Sequence, residues 1–255
     1  MKHARIEHLG QAIDVTVNES GDLVTATGEI IEQSNAKWLS PVANPGTIFA
    51  LGLNYADHAS ELAFAPPTEP LVFLKGNNTL TGHQTPSYRP DDIDFMHYEC
   101  ELVAVIGKEA RNVKREDALA YVRGFTICND YAIRDFLENY YRPNLRVKSR
   151  DSLCPIGPWL VETNDIKDLS NLKIQTHVNG ELTQEGSTSD MIFDVPFLIE
   201  YLSHFMTLKP GDLIATGTPK GLKDIQPGDV VRCSIESIGT LENPVLSEHD
   251  FYAQR

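Results

Sequence analysis

Residues 97–107, which read HYECELVAVIG, are the most informative stretch of this 255-residue chain. Alternate side chains of a strand share one face, so Glu99 and Glu101 lie about 7 Å apart on the same face. The residues that follow are apolar on both faces, which predicts a buried strand. Two buried carboxylates repel each other and lose hydration unless a cation offsets both costs. The pattern therefore predicts a metal site, whereas a strand end that emerges into solvent is the alternative.

Asp130 adds a third carboxylate after a second apolar run, residues 124–128. Its simpler interpretation is an N-cap for a helix predicted at 131–140. If the two strands are neighbours, Asp130 instead converges with Glu99 and Glu101. Oxygen ligands suit Mg2+, Mn2+ or Ca2+, and no His or Cys cluster has zinc spacing. Three carboxylates leave coordination positions for water and a chelating substrate, which favours a catalytic site over a structural one.

Two further stretches carry polar groups suited to catalysis. In GLNYADHASE (52–61), Asn54 is predicted to cap a short helix on which His58 and Glu61 share a face. Such a pair could move a proton or orient a water molecule, although an ordinary surface contact is the alternative. The turn ATGTPKG (215–221) could hold a carboxylate or oxyanion through Gly217 and Thr218, or be a simple tight turn. It matches neither the phosphate-loop nor the dinucleotide pattern.

Charge and composition exclude several classes of protein. The formal net charge of -14 argues against a nucleic-acid partner. The segment YRPNLRVKSRD (141–151) nevertheless concentrates positive charge, which can attract a small anion or belong to a solvated loop. Apolar runs are too short for a membrane span, and the start MKHA has no basic apolar leader. Four scattered cysteines without a Cys-x-x-Cys pair indicate reduced thiols, and we expect a cytoplasmic protein.

The hydrophobic pattern predicts an α+β, β-rich fold, a mixed roll or barrel with a few short helices. Residues 1–45 are predicted to form a small N-terminal β segment, and residues 46–255 the catalytic domain. The dipeptide Asn179-Gly180 suits a hairpin turn. The remaining predicted strands are 12–17, 23–26, 47–51, 71–74, 99–106, 124–128 and 213–216, and the remaining predicted helices are 116–122 and 196–205.

Taken in order, these motifs resemble the fumarylacetoacetate hydrolase family from about Gly46 to the C-terminus. The matching residues are Asn54-Tyr55-x-x-His58-x-x-Glu61, Phe73-x-Lys75, Glu99-x-Glu101, Asn129-Asp130, Lys148, Asp151 and Gly217-Thr218-Pro219. The resemblance implies that Glu99, Glu101 and Asp130 bind the metal. It also implies a catalytic His58/Glu61 pair, an active-site Lys148, a Mg2+ cofactor and a homodimer.

Four segments, GLNYADHASE, EPLVFLK, HYECEL and ENYYRPNLRVKSRD, are similar to family members that decarboxylate or isomerise unsaturated polycarboxylates in homoprotocatechuate catabolism. This implies decarboxylation of 5-oxopent-3-ene-1,2,5-tricarboxylate, isomerisation of 2-hydroxyhepta-2,4-dienedioate, or both. Those members carry two homologous halves, so a homologous partner subunit is an open alternative to a homodimer. The carboxylates of such a substrate need cationic and amide contacts. We assign these contacts to Lys75, Arg134, Arg142, Arg146, Gly217 and Thr218, beside Lys148.

Other readings stay open at this point. The same apparatus would serve an acylpyruvate or fumarylpyruvate hydrolase, or an oxaloacetate decarboxylase. A catalytically silent interaction or metal-buffering protein is a different class, and it would not need His58 or Lys148. Phosphoryl transfer is disfavoured because no phosphate loop accompanies the carboxylates.

Overall fold

The computed structural model of the protein describes residues 1–137 and 145–254. Strands form most of its regular structure. They are β1 (Lys2–His8), β2 (Gln11–Val17), β3 (Leu23–Val24), β4 (Ile30–Ile31), β5 (Lys37–Trp38), β6 (Ile48–Gly52), β7 (Leu71–Lys75), β8 (Leu80–Thr81), β9 (Ser87–Arg89), β10 (Met96–His97), β11 (Cys100–Ile106), β12 (Val122–Asn129), β13 (Ala132–Ile133), β14 (Cys154–Glu162), β15 (Lys173–Val178), β16 (Glu181–Ser187), β17 (Leu213–Ala215), β18 (Val230–Ile235) and β19 (Gly239–Ser247).

The α-helices in the described residues are short. They are α1 (Ala56–Glu61), α2 (Leu145–Lys148), α3 (Val195–Phe205) and α4 (Glu248–Ala253). Single turns of 3-10 helix occur at Gln33–Asn35, Asn77–Thr79, Arg134–Phe136, Thr163–Asp165, Leu169–Asn171 and Thr188–Asp190, with a longer one at Arg115–Tyr121. The predicted β-rich α+β class is confirmed. None of the described helices is both long and apolar enough to cross a membrane.

The largest sheet places the two strands that carry the acidic motifs side by side. Its order is β4-β3-β2-β1-β14-β12-β11-β17-β6-β7, with β5 beside β1 and β8 beside β14. Strands β11 and β12 are antiparallel, and Cys100 lies opposite Asn129. The start of β11 therefore meets the end of β12. The condition for Asp130 to converge with Glu99 and Glu101, that these two strands are neighbours, is therefore met.

A second sheet, in the order β16-β15-β18-β19-β9, packs against the first. One apolar cluster joins them, because it contains Leu102 and Phe125 from the large sheet and Ile174 and Ile235 from the second. All four side chains are buried. The site described below lies where the start of β11 and the loops that follow β12 and β17 meet this second sheet.

The N-terminal strands extend the large sheet through an antiparallel contact between β1 and β14. They also enclose a separate apolar cluster that includes Ile6, Leu23 and Trp38. The small N-terminal β segment thus has its own core while sharing a sheet with the rest of the chain. A domain boundary at residue 45 stays a prediction.

Most predicted elements are present, and the exceptions are instructive. The hairpin turn at Asn179-Gly180 is confirmed, with φ values of 52° and 85°. The helix predicted at 196–205 is confirmed as α3, and its N-cap is Asp194, whose side chain accepts a hydrogen bond from the Phe197 amide. The predicted helix at 116–122 is a 3-10 helix, Arg115–Tyr121. The helix predicted at 131–140 is wrong in its described part, which forms β13 and a 3-10 turn.

Candidate metal centre and active site

Three carboxylates converge at the junction of β11 and β12. The Asp130 amide donates to the Glu99 carbonyl at 2.9 Å, and the Glu99 amide donates to the Asn129 side chain at 2.9 Å. These bonds hold Glu99 and Asp130 beside Glu101. One ligand oxygen from each of the three lies within 4.8 Å of the other two. The spacing suits a divalent cation with oxygen ligands.

Two lysines share the carboxylate cluster. Lys75 Nζ lies 2.5 Å from Asp130 Oδ1, in an ion pair whose side chains are both 0% exposed, and it also donates to the Lys148 carbonyl. Lys148 Nζ lies 2.5 Å from Glu99 Oε2 and 2.9 Å from Asp130 Oδ2. Burial opposes the charge of Lys148, but the carboxylates of Asp130, Glu99 and Glu101 raise its pKa above the ordinary value. Lys148 is therefore an ammonium within the cluster.

Glu101 supplies an observation that favours a bound cation. Its Oε2 accepts a hydrogen bond from the Gly217 amide at 2.8 Å. Its Oε1 is buried without a hydrogen-bond partner among the described residues. Burial and the neighbouring charges of Asp130 and Glu99 raise the pKa of Glu101 well above its ordinary value. A divalent cation would coordinate the orphaned oxygen and offset this repulsion, so the residues fit a metal.

The predicted acid/base pair lies on α1. His58 Nδ1 is 3.2 Å from Glu61 Oε2, and His58 is 5% exposed. The other Glu61 oxygen accepts hydrogen bonds from the amides of Gly221 and Leu222, at 3.0 and 3.2 Å. Glu61 thus fixes the imidazole and ties α1 to the loop that follows β17.

Asn54 does not cap α1 as predicted, because the N-cap position is Tyr55. The Asn54 amide instead donates to the carbonyls of Thr216 and Phe193, at 2.8 and 3.0 Å, and accepts from the Phe193 amide at 2.9 Å. It joins the segment before α1 to the loop that follows β17. Asn54 therefore positions the site by tertiary contacts rather than by capping a helix.

A cavity of about 70 Å3 lies beside the carboxylate cluster. Its walls combine polar and apolar side chains, including Leu51, Phe73 and Leu137. Predicted site residues on its walls are His58, Glu99, Arg134, Lys148 and Thr218. A mixed cavity of this kind suits a small anion with an unsaturated carbon chain.

Other predicted residues lie elsewhere. As described above, Lys75 Nζ contacts Asp130 Oδ1, and the Gly217 amide donates to Glu101 Oε2. The Arg146 guanidinium lies 3.6 Å from the centre of the Phe136 ring and is not among the residues that line the cavity. Arg142 lies outside the described residues.

His97 is a site residue that the sequence reasoning did not single out. It is 0% exposed, its Nδ1 donates to the Tyr98 carbonyl at 3.0 Å, and its Nε2 accepts from Arg134 Nε at 2.9 Å. Burial, with the nearby charges of Arg134 and Lys148, lowers its pKa well below the ordinary value. The neutral ring supports Arg134 beside the cavity. Its place next to two glutamates in a buried stretch was the available signal.

Comparison with known proteins identifies the family to which this strand-rich fold with its acidic centre belongs. The model of the fumarylacetoacetate (FAA) hydrolase C-terminal family matches residues 47–246. The chain belongs to this family.

Two individual relatives are similar to this chain over most of its length. The 4-hydroxyphenylacetate degradation bifunctional isomerase/decarboxylase of Salmonella dublin is 60% identical over 225 residues, which are 88% of this chain and 52% of that protein. The chain thus spans about half the length of the curated relatives it matches first. The solved 5-carboxymethyl-2-hydroxymuconate delta-isomerase of Mycobacterium smegmatis is 35% identical, with a TM-score of 0.86 over 97% of this chain and 99% of that one.

A third comparison bears on the metal. The maleylpyruvate hydrolase of Sphingobium sp. SYK-6, solved with manganese(II) and pyruvate, is 26% identical, with a TM-score of 0.83 over 97% of this chain and 99% of that one. Together with the three converging carboxylates, this relative indicates a divalent-metal site in this chain.

Proposed function

We propose that this protein is a metal-dependent enzyme that decarboxylates 5-oxopent-3-ene-1,2,5-tricarboxylate, isomerises 2-hydroxyhepta-2,4-dienedioate, or does both, in homoprotocatechuate catabolism. The observation that carries the proposal is the buried carboxylate cluster beside a cavity walled by His58, Arg134 and Lys148. The 60% identical isomerase/decarboxylase supports this substrate class.

The metal ligands in this proposal are Glu99, Glu101 and Asp130, and the cofactor is Mg2+, with Mn2+ or Ca2+ as substitutes. The bound metal would supply positive charge that stabilises the enolate formed when a carboxylate leaves or a proton moves. Lys148 bridges Glu99 and Asp130, so it holds these two ligands at a fixed separation. Lys75 holds the other oxygen of Asp130 from behind the site.

The residues on the cavity wall would bind and orient the substrate. Arg134 and Lys148 present positive charge to its carboxylates, and Thr218 presents a hydroxyl. Arg142 and Arg146 remain proposed contacts for the more distant carboxylate. Leu51 and Phe73 pack against the carbon chain and exclude water, which strengthens each of these polar contacts.

His58 would move the proton. Its Nδ1 faces Glu61, so Nε2 is the ring nitrogen left to face a substrate in the cavity. The Glu61 carboxylate fixes the orientation of the imidazole. In isomerisation the ring would transfer a proton between substrate carbons, and in decarboxylation it would protonate the carbon from which the carboxylate departs.

The test is ultraviolet-monitored turnover of the tricarboxylate by metal-stripped protein, with and without added Mg2+. We expect activity that Mg2+ restores and that Glu99→Ala abolishes. Glu109→Ala, at an exposed glutamate, is the matched control and should retain full activity. Turnover that does not depend on Mg2+, or that survives Glu99→Ala, would sink the proposal.

A hydrolase of acylpyruvates or fumarylpyruvate is the second candidate, and the manganese- and pyruvate-bound maleylpyruvate hydrolase favours it. An oxaloacetate decarboxylase would use the same apparatus on a smaller acid. Product analysis separates hydrolysis from decarboxylation, because hydrolysis yields two acids whereas decarboxylation of either substrate releases carbon dioxide. Oxaloacetate turnover without tricarboxylate turnover would favour the smaller substrate.

We also propose that the chain works as a cytoplasmic homodimer, or beside a homologous partner subunit, because the matched relatives are about twice its length. Light scattering of the purified protein gives the oligomeric state. Copurification of a second homologous chain from cells would favour the partner-subunit alternative, and cell fractionation tests the location.

A further inference from the structure

Thr218 lies in the loop that follows β17 and faces the cavity. It is 2% exposed, and it shares the cavity wall with His58, Glu99 and Lys148. Its Oγ1 lies 2.9 Å from the side-chain nitrogen of Gln184, a residue of β16 in the second sheet. The hydroxyl is therefore held by a residue that does not itself line the cavity.

The surroundings of Gln184 determine which way its amide points. Its Nε2 is 2.7 Å from the Pro219 carbonyl, which can only accept a hydrogen bond. Its Oε1 is 2.7 Å from the hydroxyl of Thr176, which can donate. A flipped amide would place two acceptors face to face at Pro219. Both Nε2 hydrogens are thus committed, one to Pro219 and the other to Thr218.

This arrangement fixes the polarity of the Thr218 hydroxyl. Because Oγ1 accepts from Gln184, its own hydrogen must be donated in another direction. Within residues 1–137 and 145–254, no hydrogen bond uses that hydrogen. The open direction is the cavity. A donor held in this way recognises an acceptor oxygen, and a carboxylate accepts more strongly than a neutral group.

The loop and β16 are built to meet closely. A side-chain carbon added at Gly221 would lie 2.7 Å from the Thr183 carbonyl, and one added at Gly186 would lie 2.6 Å from Pro219. The pairing of β15 with β16 also shifts register between Thr176 and His177. On the other side of the loop, the Gly217 amide holds Glu101. One loop thus sets Thr218 against both the second sheet and the carboxylate cluster.

We propose that Gln184 is a positioning residue that makes Thr218 a hydrogen-bond donor to a substrate carboxylate. The inference rests on the proposed function, because it assigns the Thr218 contact of that same site. It predicts that Gln184 acts only through Thr218. Loss of either residue should weaken binding of a 2-oxo acid without changing the affinity of the metal.

The experiment is a double-mutant cycle on Mn2+-loaded protein, with pyruvate binding measured by calorimetry and the KM of the tricarboxylate measured by turnover. Gln184→Leu and Thr218→Val should each weaken pyruvate binding and raise KM about tenfold, the loss expected for one hydrogen bond to a charged group. The double variant should lose about tenfold as well, rather than about a hundredfold. Mn2+ affinity should stay at the wild-type value, and thermal unfolding checks that each variant is folded at the temperature of the assay.

Gln175→Leu is the matched control, since this glutamine of β15 donates to exposed Glu185 rather than to the loop. It should leave pyruvate binding unchanged. If Gln184→Leu fails to fold, Thr176→Val loosens the same amide more gently, and its smaller loss should vanish in the Thr218→Val background. Losses that multiply in the double variant would overturn the proposal, because Gln184 would then act independently of Thr218.

Failure of the proposed function would give a different combination of binding and turnover results. A wild-type protein that binds pyruvate and shows the non-additive cycle, but does not turn over the tricarboxylate, supports the role of Gln184 and rejects the substrate. A wild-type protein with neither pyruvate binding nor turnover overturns both.

Discussion

Lys75 and Asp130 form a fully buried ion pair, with both side chains 0% exposed. Removing Lys75 deprives Asp130 of one of two cationic partners in a region of low dielectric, because Lys148 still lies 2.9 Å from the other carboxylate oxygen. An uncompensated buried charge would cost roughly 3–5 kcal/mol, and Lys148 offsets part of that, so we expect Lys75→Met to lower the free energy of unfolding of the metal-free protein by roughly 2–3 kcal/mol. Denaturant unfolding in the presence of a chelator measures this loss.

The matched control is Lys37→Met, which breaks an exposed pair. Lys37 lies 2.7 Å from Glu7, but the two side chains are 69% and 37% exposed. Water and salt screen such a pair, so the change should be under about 1 kcal/mol. Equal losses in the two variants would contradict the argument that burial decides the effect.

Glu101 separates metal binding from folding at a single residue. Glu101→Gln keeps the size of the side chain and an oxygen for the Gly217 amide, but it removes a charge that burial and two neighbouring carboxylates disfavour. We expect Mn2+ affinity to fall at least about tenfold, because ligand charge sets the strength of such sites. The melting temperature of the metal-free protein should stay the same or rise. Calorimetric titration and thermal unfolding measure the two effects, and a lower melting temperature with unchanged Mn2+ affinity would mean that the carboxylate is structural.

At the scale of elements, α1 depends on Glu61 for its attachment to the rest of the site. Glu61 bonds to His58 and to the amides of Gly221 and Leu222. A six-residue helix has little stability of its own, so these bonds hold it in place. We expect Glu61→Ala to speed amide hydrogen exchange in residues 56–62 and 220–222 and to lower kcat.

Glu61→Gln distinguishes anchoring from acid/base chemistry. Its amide oxygen can still accept from Gly221 and Leu222, so exchange should remain slow. The negative charge beside His58 is lost, so kcat should still fall. Fast exchange in Glu61→Gln, or slow exchange in Glu61→Ala, would contradict this division of roles.

The sequence predicted those elements whose local pattern matches their environment. The continuous apolar run of β11 predicted a buried strand, whereas its pairing with β12 was a condition that the sequence left open and the structure meets. The helix predicted after Asp130 is wrong in its described part, because Ala132 and Ile133 are buried in a strand that pairs with β10. Tertiary pairing overrode the local pattern there.

The same contrast holds for the site. The spacing of Glu99, Glu101 and Asp130 suggested a metal site among other possibilities, and the family resemblance assigned all three as ligands. Gln184 is 34 residues from Thr218 in the chain, and its strand carries no local sign of the contact. Asn54 was assigned to a helix cap because such residues often cap helices, whereas its partners are more than 100 residues away. Contacts of this kind depend on how two sheets pack.

At the scale of the whole molecule, His83 connects the N-terminal segment to the second sheet. Its ring packs edge-on against Trp38 of β5, with centroids 5.0 Å apart. Its Nδ1 accepts a hydrogen bond from the Glu242 amide of β19 at 3.0 Å. Protonation of the ring would abolish this acceptor. This contact between the N-terminal strands and the second sheet therefore depends on a neutral His83, in addition to the pairing of β1 with β14.

This dependence predicts how stability responds to acid. Burial, and to a lesser degree the charge of Arg232, lowers the pKa of His83 from 6.5 to about 4. In the unfolded chain His83 takes up a proton near its ordinary pKa, whereas the folded protein resists protonation until about pH 4. The stability that neutral His83 contributes is thus fully present above pH 6.5 and is lost as the pH falls from 6.5 to about 4.

His83→Asn tests this dependence, because the amide oxygen of asparagine can replace Nδ1 as the acceptor but does not titrate. Between pH 7 and pH 4, the free energy of unfolding measured with denaturant should fall less steeply in the variant than in the wild type. The two slopes should differ by about 1.4 kcal/mol per pH unit, which corresponds to one proton. His249→Asn, at a histidine whose side chain is 83% exposed, should leave the wild-type slope unchanged. Parallel curves for wild type and His83→Asn would show that the acid sensitivity arises from other groups, and that the junction between the N-terminal strands and the second sheet does not depend on the charge of this ring.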